Sequence, residues 1–458
     1  MTADKHVEHG GYEYAETVVI GAGQQGCGVA GALQERGREA LVLERGEIGQ
    51  AWAHERWDSL LVGSGNLSVR FPGREYDGDD PYGLPSGPEL ARRLRRYAAE
   101  RKLRVRQHTP VQKVECPPDV SDRDDVRFRT HLASGGVIGS RNLVAAVGGY
   151  AAPRTPALAA DVDPAVLQIH SRDYRNPEAL PDGAVLVVGA GISGQQIADE
   201  LVDSGRRTFL AVGRHRAWPR RYRGRGIQEW LQALPPLYEE FGAAGGDGGP
   251  VLPGLPVTAV NDRTGDLNVG ALAAKGVTLV GSVRAADGGR LLLKDNVVAT
   301  AEESARSFRR AVDLIDTVIR ERGFAAPQEN PAPAMPLDGV TAFGETLDLA
   351  HHGITALVWC TGFGPDYGIL PRHVLDANGA PVQRKGLLGA LPGLYYAGLP
   401  DGNSLASVGI AANVENGRFI ARLIHVDHVM RSGSPMSLAT AWEHARKGRY
   451  PPGAAGGS

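Results

Sequence analysis

Cysteine is scarce in this sequence. A chain of 458 residues contains three of them, Cys27, Cys116 and Cys360, and no two are spaced as C-x-x-C. A disulfide framework, a zinc ribbon and a dithiol redox centre are therefore all poorly supported. No cluster of metal-ligating residues stands out either, so we predict no metal site.

Long hydrophobic runs are also missing. The longest apolar stretches, such as residues 184–188 and 356–359, are far too short to span a bilayer. The segment 1–16 is polar and has no hydrophobic signal core. A formal net charge of −2 argues against a polyanionic main partner. We expect a cytoplasmic protein with no nucleic-acid or membrane partner; a homodimer is compatible with the sequence.

The residues that are present begin with a glycine motif at 18–26, V-V-I-G-A-G-Q-Q-G, between an apolar run and a helical pattern. Gly21 permits a tight turn, Gly23 lets the backbone approach a pyrophosphate, and Gly26 lets the helix pack close to the strand. The helix that starts near Gln24 offers N–H groups and a positive dipole end. The pattern predicts a dinucleotide site.

An acidic residue completes this first motif. The next apolar run, residues 40–43, ends on Glu44, about 20 residues after the first glycine. A carboxylate at that strand tip can accept hydrogen bonds from a ribose diol. The carboxylate makes a mere glycine-rich turn the less favoured interpretation.

The same pattern occurs again at 184–194, with a strand, the glycines Gly189, Gly191 and Gly194, and a helix that contains Ser193. A length of 458 residues allows two to three domains, each with its own core. The repeat therefore predicts a second dinucleotide-binding unit.

The strand tip of this second unit differs from the first. Residues 208–212 lead into Gly213, Arg214 and His215 instead of an acid. A guanidinium suits a ribose 2′-phosphate, so we expect this site to prefer NADPH over NADH, with Arg214 and His215 as contacts.

A basic cluster follows the second strand tip. Nucleic-acid binding is its rival interpretation, which the overall charge and the adjacent phosphate site disfavour. Its arginines are interleaved with Trp218 and Tyr222: Arg220, Arg221, Arg223 and Arg225.

Two such fingerprints in one chain resemble the two-dinucleotide-binding-domain flavoproteins, and three local features resemble the class B flavin monooxygenases. The stretch from Glu44 to Trp52 is similar to their acid-then-G-G-x-W segment. Residues 170–174, H-S-R-D-Y, resemble the H-x-x-x-aromatic end of their signature, and Thr361-Gly362 resembles their second A-T-G turn. The resemblance covers roughly residues 15 to 425. The family comprises flavin-containing monooxygenases, YUCCA-like enzymes, N-hydroxylases and Baeyer–Villiger enzymes.

The sequence departs from the family pattern at several positions, which leaves the subclass unsettled. Gln50 replaces the second glycine of G-G-x-W, and Val147-Gly148 stands where A-T-G is usual. Pro164 and Val166 replace the Phe and Gly of the signature, and Arg175 follows Tyr174 where Baeyer–Villiger signatures have Pro or Asp.

The resemblance implies an α/β fold of two Rossmann-like dinucleotide-binding domains, with the NADPH domain inserted into a discontinuous FAD domain. The expected boundaries are a flexible tail at 1–14, a first segment of the FAD-binding domain at 15–175, the NADPH-binding domain at 176–334, a second segment of the FAD-binding domain at 335–430 and a C-terminal extension at 431–458.

The implied activity is that of an NADPH- and O2-dependent flavoprotein monooxygenase, which forms a C4a-(hydro)peroxyflavin and oxygenates a small organic substrate at a soft N or S atom. Two alternatives stay open: oxygen insertion at a carbonyl, and a non-catalytic flavin- and NADPH-binding regulatory protein. A disulfide reductase shares the architecture but would need a paired dithiol.

The resemblance also implies catalytic roles for three residues, each with a structural alternative. Asn66 matches an Asn that lies by the flavin in N- and S-oxygenating members; it could also simply cap a turn. His170 and Tyr174 are expected at the domain junction near NADPH, where they shape the contact between domains. Proton transfer is the less favoured role for these two residues.

Trp52 is expected either close to the flavin or in the protein core. The backbone of Val111 is expected to meet the adenine of FAD; the alternative is that Val111 is simply part of the core of a strand. The predicted cofactor-binding residues are Gly21, Gly23, Gln24, Gly26, Glu44, Arg45, Trp52, Val111, Gly189, Gly191, Ser193, Gly194, Arg214, His215, Thr361 and Gly362.

Overall fold

A computed structural model describes residues 7–9, 12–117, 125–213, 215–227, 229–230, 259–261, 265–329, 331–384, 387–399, 410 and 412–432. The α-helices in these ranges are α1 (Gln24–Gln34), α2 (Gln50–His54), α3 (Gly87–Glu100), α4 (Ile192–Asp203), α5 (Val269–Ala274), α6 (Val297–Arg322) and α7 (Ala412–Arg431). The strands are β1 (Val7–His9), β2 (Tyr12–Ile20), β3 (Leu41–Leu43), β4 (Arg104–Arg106), β5 (Val111–Glu115), β6 (Phe128–Leu132), β7 (Val137–Ala145), β8 (Ala152–Pro153), β9 (Leu167–His170), β10 (Ala184–Val188), β11 (Thr208–Val212), β12 (Arg221–Tyr222), β13 (Arg225–Gly226), β14 (Ala259–Asn261), β15 (Gly265–Leu267), β16 (Thr278–Gly281), β17 (Val283–Asp287), β18 (Arg290–Leu293), β19 (Thr346–Asp348), β20 (Ile354–Trp359), β21 (Phe363–Gly364), β22 (Gln383–Arg384), β23 (Leu388–Gly389) and β24 (Leu394–Tyr396).

The first unit is built on a 10-stranded sheet whose centre is parallel in the order β4-β3-β2-β7-β24. Helices α1 and α7 cross on this sheet at Gly28 and Gly417. A Cβ on Gly417 would lie 2.7 Å from the Gly28 carbonyl oxygen, so the two backbones approach as closely as glycine allows. The close crossing holds α7 against α1, the helix that follows the first glycine motif.

The second unit is built on a 5-stranded parallel sheet in the order β16-β11-β10-β20-β9. All five residues of β10 are buried, as expected for a central strand covered on both faces. In both sheets the strand before the glycine motif lies at the point where the strand order reverses. Ligands of open α/β sheets bind at such a position. The α/β fold class with two dinucleotide-binding units is confirmed.

The strand pairing corrects the expected domain limits. We expected 354–359 to return to the first unit and the second unit to start at 176. Instead, β20 pairs in parallel with β10, and β9 pairs with β20. An apolar strand pattern does not indicate which sheet the strand joins, because pairing is a long-range property. The second unit therefore includes β9 and β20, and the antiparallel pair of β8 with β21 lies where the chain passes between the units.

The expected flexible tail is also partly structured, because Val7–His9 pairs antiparallel with the start of β2. Most of the expected C-terminal extension, from 433 onward, lies outside the described residues. None of the described helices combines the length and apolar character needed to cross a membrane. Among the described residues, no group of three or more His, Cys, Asp and Glu side chains could hold a metal ion.

Candidate dinucleotide-binding active site

The first glycine motif forms a tight turn between β2 and α1. Gly21 has a φ of +105°, and a Cβ there would lie 2.5 Å from the Ala146 carbonyl oxygen. A Cβ on Gly26 would lie 1.9 Å from the Gly21 carbonyl oxygen. No other residue fits at either position without a shift of backbone, so both glycines are required by the turn.

Gly23 differs from its two neighbours in the motif. A Cβ built on Gly23 would meet nothing within 4 Å in the part of the chain that the structure describes. The open side adjoins the start of α1, where Gly23 is the N-cap and the first N–H groups have no intrahelical acceptor. We call the space between Gly23 and the first turn of α1 the first cradle. It is open at Gly23 and lined by N–H donors, and therefore fits the pyrophosphate of a dinucleotide.

Glu44 follows β3 and is oriented by the same turn. Its Oε2 accepts from the Ala22 N–H at 2.7 Å, and its Oε1 accepts from the Gly46 N–H at 3.0 Å. The side chain is buried. Each carboxylate oxygen can accept a further bond, so the group is held ready for a ribose diol beside the cradle.

We expect Glu44→Ala to abolish retention of FAD and to lower the stability of the apoprotein by about 2 kcal/mol. The substitution leaves the buried N–H of Ala22 and the part-buried N–H of Gly46 without their charged acceptor. The measurements are flavin absorbance after gel filtration and thermal unfolding without added FAD. Glu47→Gln is the matched control, because Glu47 is in the same loop and makes surface ion pairs of 3.7–3.8 Å. Retention of flavin by the alanine variant at the wild-type level would contradict the assignment.

The second glycine motif repeats this geometry between β10 and α4. Gly189 has a φ of +110°, and a Cβ there would lie 2.6 Å from the Cys360 carbonyl oxygen. A Cβ on Gly194 would lie 1.8 Å from the Gly189 carbonyl oxygen, whereas one on Gly191 would meet nothing within 4 Å. Ser193 lies in the first turn of α4 beside this open cradle. Both cradles therefore have one open and two crowded glycines.

The tip of β11 carries the predicted 2′-phosphate contacts. Arg214 lies outside the described residues, so its role stays a prediction. His215 is buried, and this burial lowers the pKa of its imidazole to about 4, against a smaller opposing effect of the Ala190 carbonyl. The imidazole is therefore neutral at physiological pH and adds no positive charge to a phosphate site.

The low pKa of His215 predicts a loss of stability in acid. The folded state prefers the neutral ring, so its contribution is fully present above the ordinary pKa of 6.5 and is lost as the pH falls toward 4. A shift of this size corresponds to about 3 kcal/mol. We expect the thermal midpoint of His215→Gln to fall less than that of the wild type between neutral pH and about pH 5. Equal falls would show that another group is responsible.

Three predicted FAD contacts lie around the first cradle: Gln24, Trp52 and Val111. Trp52 is half-buried, and its Nε1 donates to Gln24 Oε1 at 3.0 Å, which places the indole beside the start of α1. Val111 begins β5, two residues after Thr109, whose N–H donates to the Glu44 carbonyl oxygen at 2.7 Å. The structure thus brings Val111 near the Glu44 strand tip.

The last predicted FAD contact, Arg45, points away from the interior. It is exposed and pairs with Glu55 at 2.7 Å. Its contact with a cofactor stays a prediction.

Asn66 begins a short 3-10 turn and is buried. Its Nδ2 donates to the Asp80 carbonyl oxygen at 2.8 Å, which fixes the orientation of the amide, because a carbonyl requires a donor. The Oδ1 is buried and has no hydrogen-bond partner among the described residues. This acceptor is therefore available to a donor on a bound molecule or on water.

His170 holds the turn at the end of β20. Its Nε2 donates to the Gly362 carbonyl oxygen at 3.0 Å, and its Nδ1 accepts from the Arg172 N–H at 3.2 Å. Burial lowers the pKa of the ring, against the raising effect of the Gly362 bond. Thr361 Oγ1 donates to the Arg154 carbonyl, which anchors the turn on the other linker. With both nitrogens bonded to backbone, His170 is suited to shaping the domain junction.

Tyr174 is fully buried and donates through its hydroxyl to Glu200 Oε2 at 2.7 Å. Burial and the neighbouring carboxylate raise the pKa of the phenol well above 10. The structure therefore brings Tyr174 to α4 and not to the open cradle. Its contact is a structural one between the linker and the second unit, and its catalytic role stays a prediction.

Sequence reasoning missed Arg56. Its guanidinium carbon lies 5.6 Å from the Trp52 ring centroid, 5.9 Å from that of Tyr150 and 5.6 Å from that of Phe363. Tyr150 and Phe363 lie in the two linkers between the units. The Arg56 guanidinium therefore joins the first unit to both linkers. In the sequence, only the position of Arg56 four residues after Trp52 could have indicated a contact. That position says nothing about Tyr150 and Phe363, which are distant in sequence.

The two parallel sheets, each with an open glycine cradle at its switch point, define a two-dinucleotide-binding-domain protein. Residues 18–232 match the family model described as pyridine nucleotide-disulphide oxidoreductase. The chain is 25% identical to the uncharacterized oxidoreductase CzcO of Bacillus subtilis, over 84% of this chain and 92% of that protein.

Two further comparisons concern monooxygenases. Indole-3-pyruvate monooxygenase YUCCA1 of Oryza sativa is 29% identical over 43% of this chain and 47% of its own length. A solved structure of a mutant flavin monooxygenase from Stenotrophomonas maltophilia superposes with a TM-score of 0.59 at 20% identity, covering 90% of this chain and 98% of that one; this likeness concerns the fold. The resemblance to the class B flavin monooxygenases is confirmed: the proteins to which this chain is similar include monooxygenases by sequence and a flavin monooxygenase by fold.

Proposed function

We propose that this protein is an NADPH- and O2-dependent flavoprotein monooxygenase that oxygenates a small organic molecule at a soft N or S atom. The observation that carries the proposal is the pair of cradles, open at Gly23 and Gly191. Only the first strand tip bears a carboxylate, Glu44, which suits the unphosphorylated ribose of FAD. The second tip has Gly213 and Arg214 in the sequence, which suits the 2′-phosphate of NADPH.

Bound FAD would supply the electron transfer and the activation of O2, and the chain would bind, orient and shield. The first turn of α1 and Glu44 would hold FAD, and the first turn of α4 would hold NADPH. The unpartnered Oδ1 of Asn66 would accept a hydrogen bond from the bound molecules. His170 and Thr361 would keep the junction closed against water, which favours oxygenation over release of H2O2.

The cysteines argue against a dithiol-dependent reductase. All three are free, and burial raises the pKa of Cys27 and Cys360 to about 12 and that of Cys116 to about 11. Thiols with such pKa values are poor nucleophiles at neutral pH. The monooxygenases among the relatives support the oxygenase proposal instead.

The decisive experiment mixes NADPH-reduced protein rapidly with O2 and follows the flavin absorbance, then measures NADPH consumption with amines, thioethers and ketones. We expect yellow protein, faster reduction by NADPH than by NADH, and a transient spectrum distinct from both oxidised and reduced flavin. If only ketones stimulate NADPH consumption, the reaction is oxygen insertion at a carbonyl and not oxygenation at N or S. Protein that binds both nucleotides but never turns over would instead be a regulatory binder.

A further inference from the structure

The segment Asp80–Gly83 of the first unit contacts the turn that carries Asn66. The Asn66 N–H donates to the Gly83 carbonyl oxygen at 2.9 Å, and the Leu67 N–H donates to the Pro81 carbonyl oxygen at 2.9 Å. With the bond from Asn66 Nδ2 to Asp80, three hydrogen bonds join the segment to this turn. The position of Asn66 is therefore set by the position of residues 80–83.

The same segment also contacts the second unit, through Tyr82. The Arg221 guanidinium carbon lies 4.2 Å from the centroid of the Tyr82 ring. The Arg220 Nη1 donates to the Tyr82 carbonyl oxygen at 3.3 Å. Tyr82 thus lies between Asn66 and the hairpin of β12 and β13.

That hairpin is fixed to the body of the second unit. Tyr222 donates through its hydroxyl to Asp316 Oδ2 on α6 at 2.8 Å, and Trp230 Nε1 donates to the Tyr222 carbonyl oxygen at 2.8 Å. The Arg220 N–H donates to Asp266 Oδ2 at 2.9 Å. The hairpin must therefore move together with the second unit, and it carries Arg221 with it.

We infer that Arg221 and Tyr82 are positioning residues that transmit the state of the nucleotide cradle on the second unit to Asn66 in the first. This inference rests on the proposed function. An exposed cation–aromatic contact is weak enough to form and break reversibly. The contact can therefore open for passage of ligands and close when the second unit settles around NADP+, which orders the Asn66 turn.

Arg225 on the same hairpin provides a matched control. Its guanidinium carbon lies 5.5 Å from the ring centroid of Trp230, within the second unit. Arg225 also has an electrostatic effect on Tyr82, so Arg225→Gln removes the same charge from the same hairpin and the same neighbourhood but leaves the Arg221–Tyr82 contact in place. Arg221→Lys keeps a cation near Tyr82 and tests for rescue.

The test is hydrogen–deuterium exchange of the peptide covering 64–70 in the flavin-loaded full chain, with and without saturating NADP+. In the wild type and Arg225→Gln, we expect NADP+ to slow exchange about threefold or more, since both have the cation–aromatic contact. In Arg221→Gln, which keeps the hydrogen bond from Arg220 to Tyr82, we expect the slowing to be reduced and more NADPH electrons to leave as H2O2, while Arg221→Lys restores some of the protection.

Nucleotide-dependent protection that persists at the wild-type level in Arg221→Gln overturns the inference, and so does wild-type protein that binds NADP+ without any protection of 64–70. Both results leave the proposed function intact. Failure of the wild type to bind NADP+ at all overturns the proposed function and, with it, the inference.

Discussion

Gly191→Ala is expected to weaken NADP+ binding by about tenfold to hundredfold while the fold and the bound flavin stay intact. The added methyl group would meet no atom of the described residues within 4 Å, so the apoprotein has no reason to shift. The same methyl group would project into the space where a pyrophosphate would approach the first turn of α4. The measurements are thermal unfolding of the apoprotein and titration of the flavin-loaded protein with NADP+.

Gly23→Ala is the counterpart in the first unit. We expect it to give folded but colourless protein, because the methyl group would occupy the space assigned to the FAD pyrophosphate and flavin would not bind. Gly194→Ala is the contrasting control: its Cβ would lie 1.8 Å from the Gly189 carbonyl oxygen, so it should lower the thermal midpoint itself. Wild-type NADP+ affinity in Gly191→Ala would show that the nucleotide does not use this cradle.

Asn66→Ala is expected to divert electrons from product to H2O2, with product formation per NADPH falling by about tenfold to hundredfold. The substitution removes Oδ1, a buried acceptor that has no partner among the described residues, and also the bond from Nδ2 to Asp80. Flavin binding should persist, because Glu44 and the turn at Gly23 are unchanged. The measurement is the ratio of product and H2O2 to NADPH consumed.

Ser68→Ala, in the same 3-10 turn, is the control for Asn66→Ala. It should keep the wild-type ratio of product to H2O2, since the three hydrogen bonds that hold residues 80–83 do not use the Ser68 side chain. Unchanged product yield in Asn66→Ala would remove Asn66 from the active site. Loss of flavin in that variant would assign it a folding role instead.

The sequence by itself determined the two cradles. A turn with positive φ at Gly21 and Gly189, and a helix that approaches its own strand at Gly26 and Gly194, are local requirements that only glycine meets. The position of Glu44 is also a local feature, because this residue directly follows β3, the next strand in the chain after the glycine turn and α1. Local geometry of this kind can be predicted from short stretches of sequence.

The tertiary structure alone decided which sheet β9 and β20 join, and which partners Tyr174 and Asn66 have. Strand pairing between Ile354–Trp359 and Ala184–Val188 spans more than a third of the chain, and nothing in either stretch specifies it. The contact of Arg221 with Tyr82 likewise joins distant segments. These features depend on contacts between segments that are distant in sequence, and sequence periodicity carries no information about such contacts.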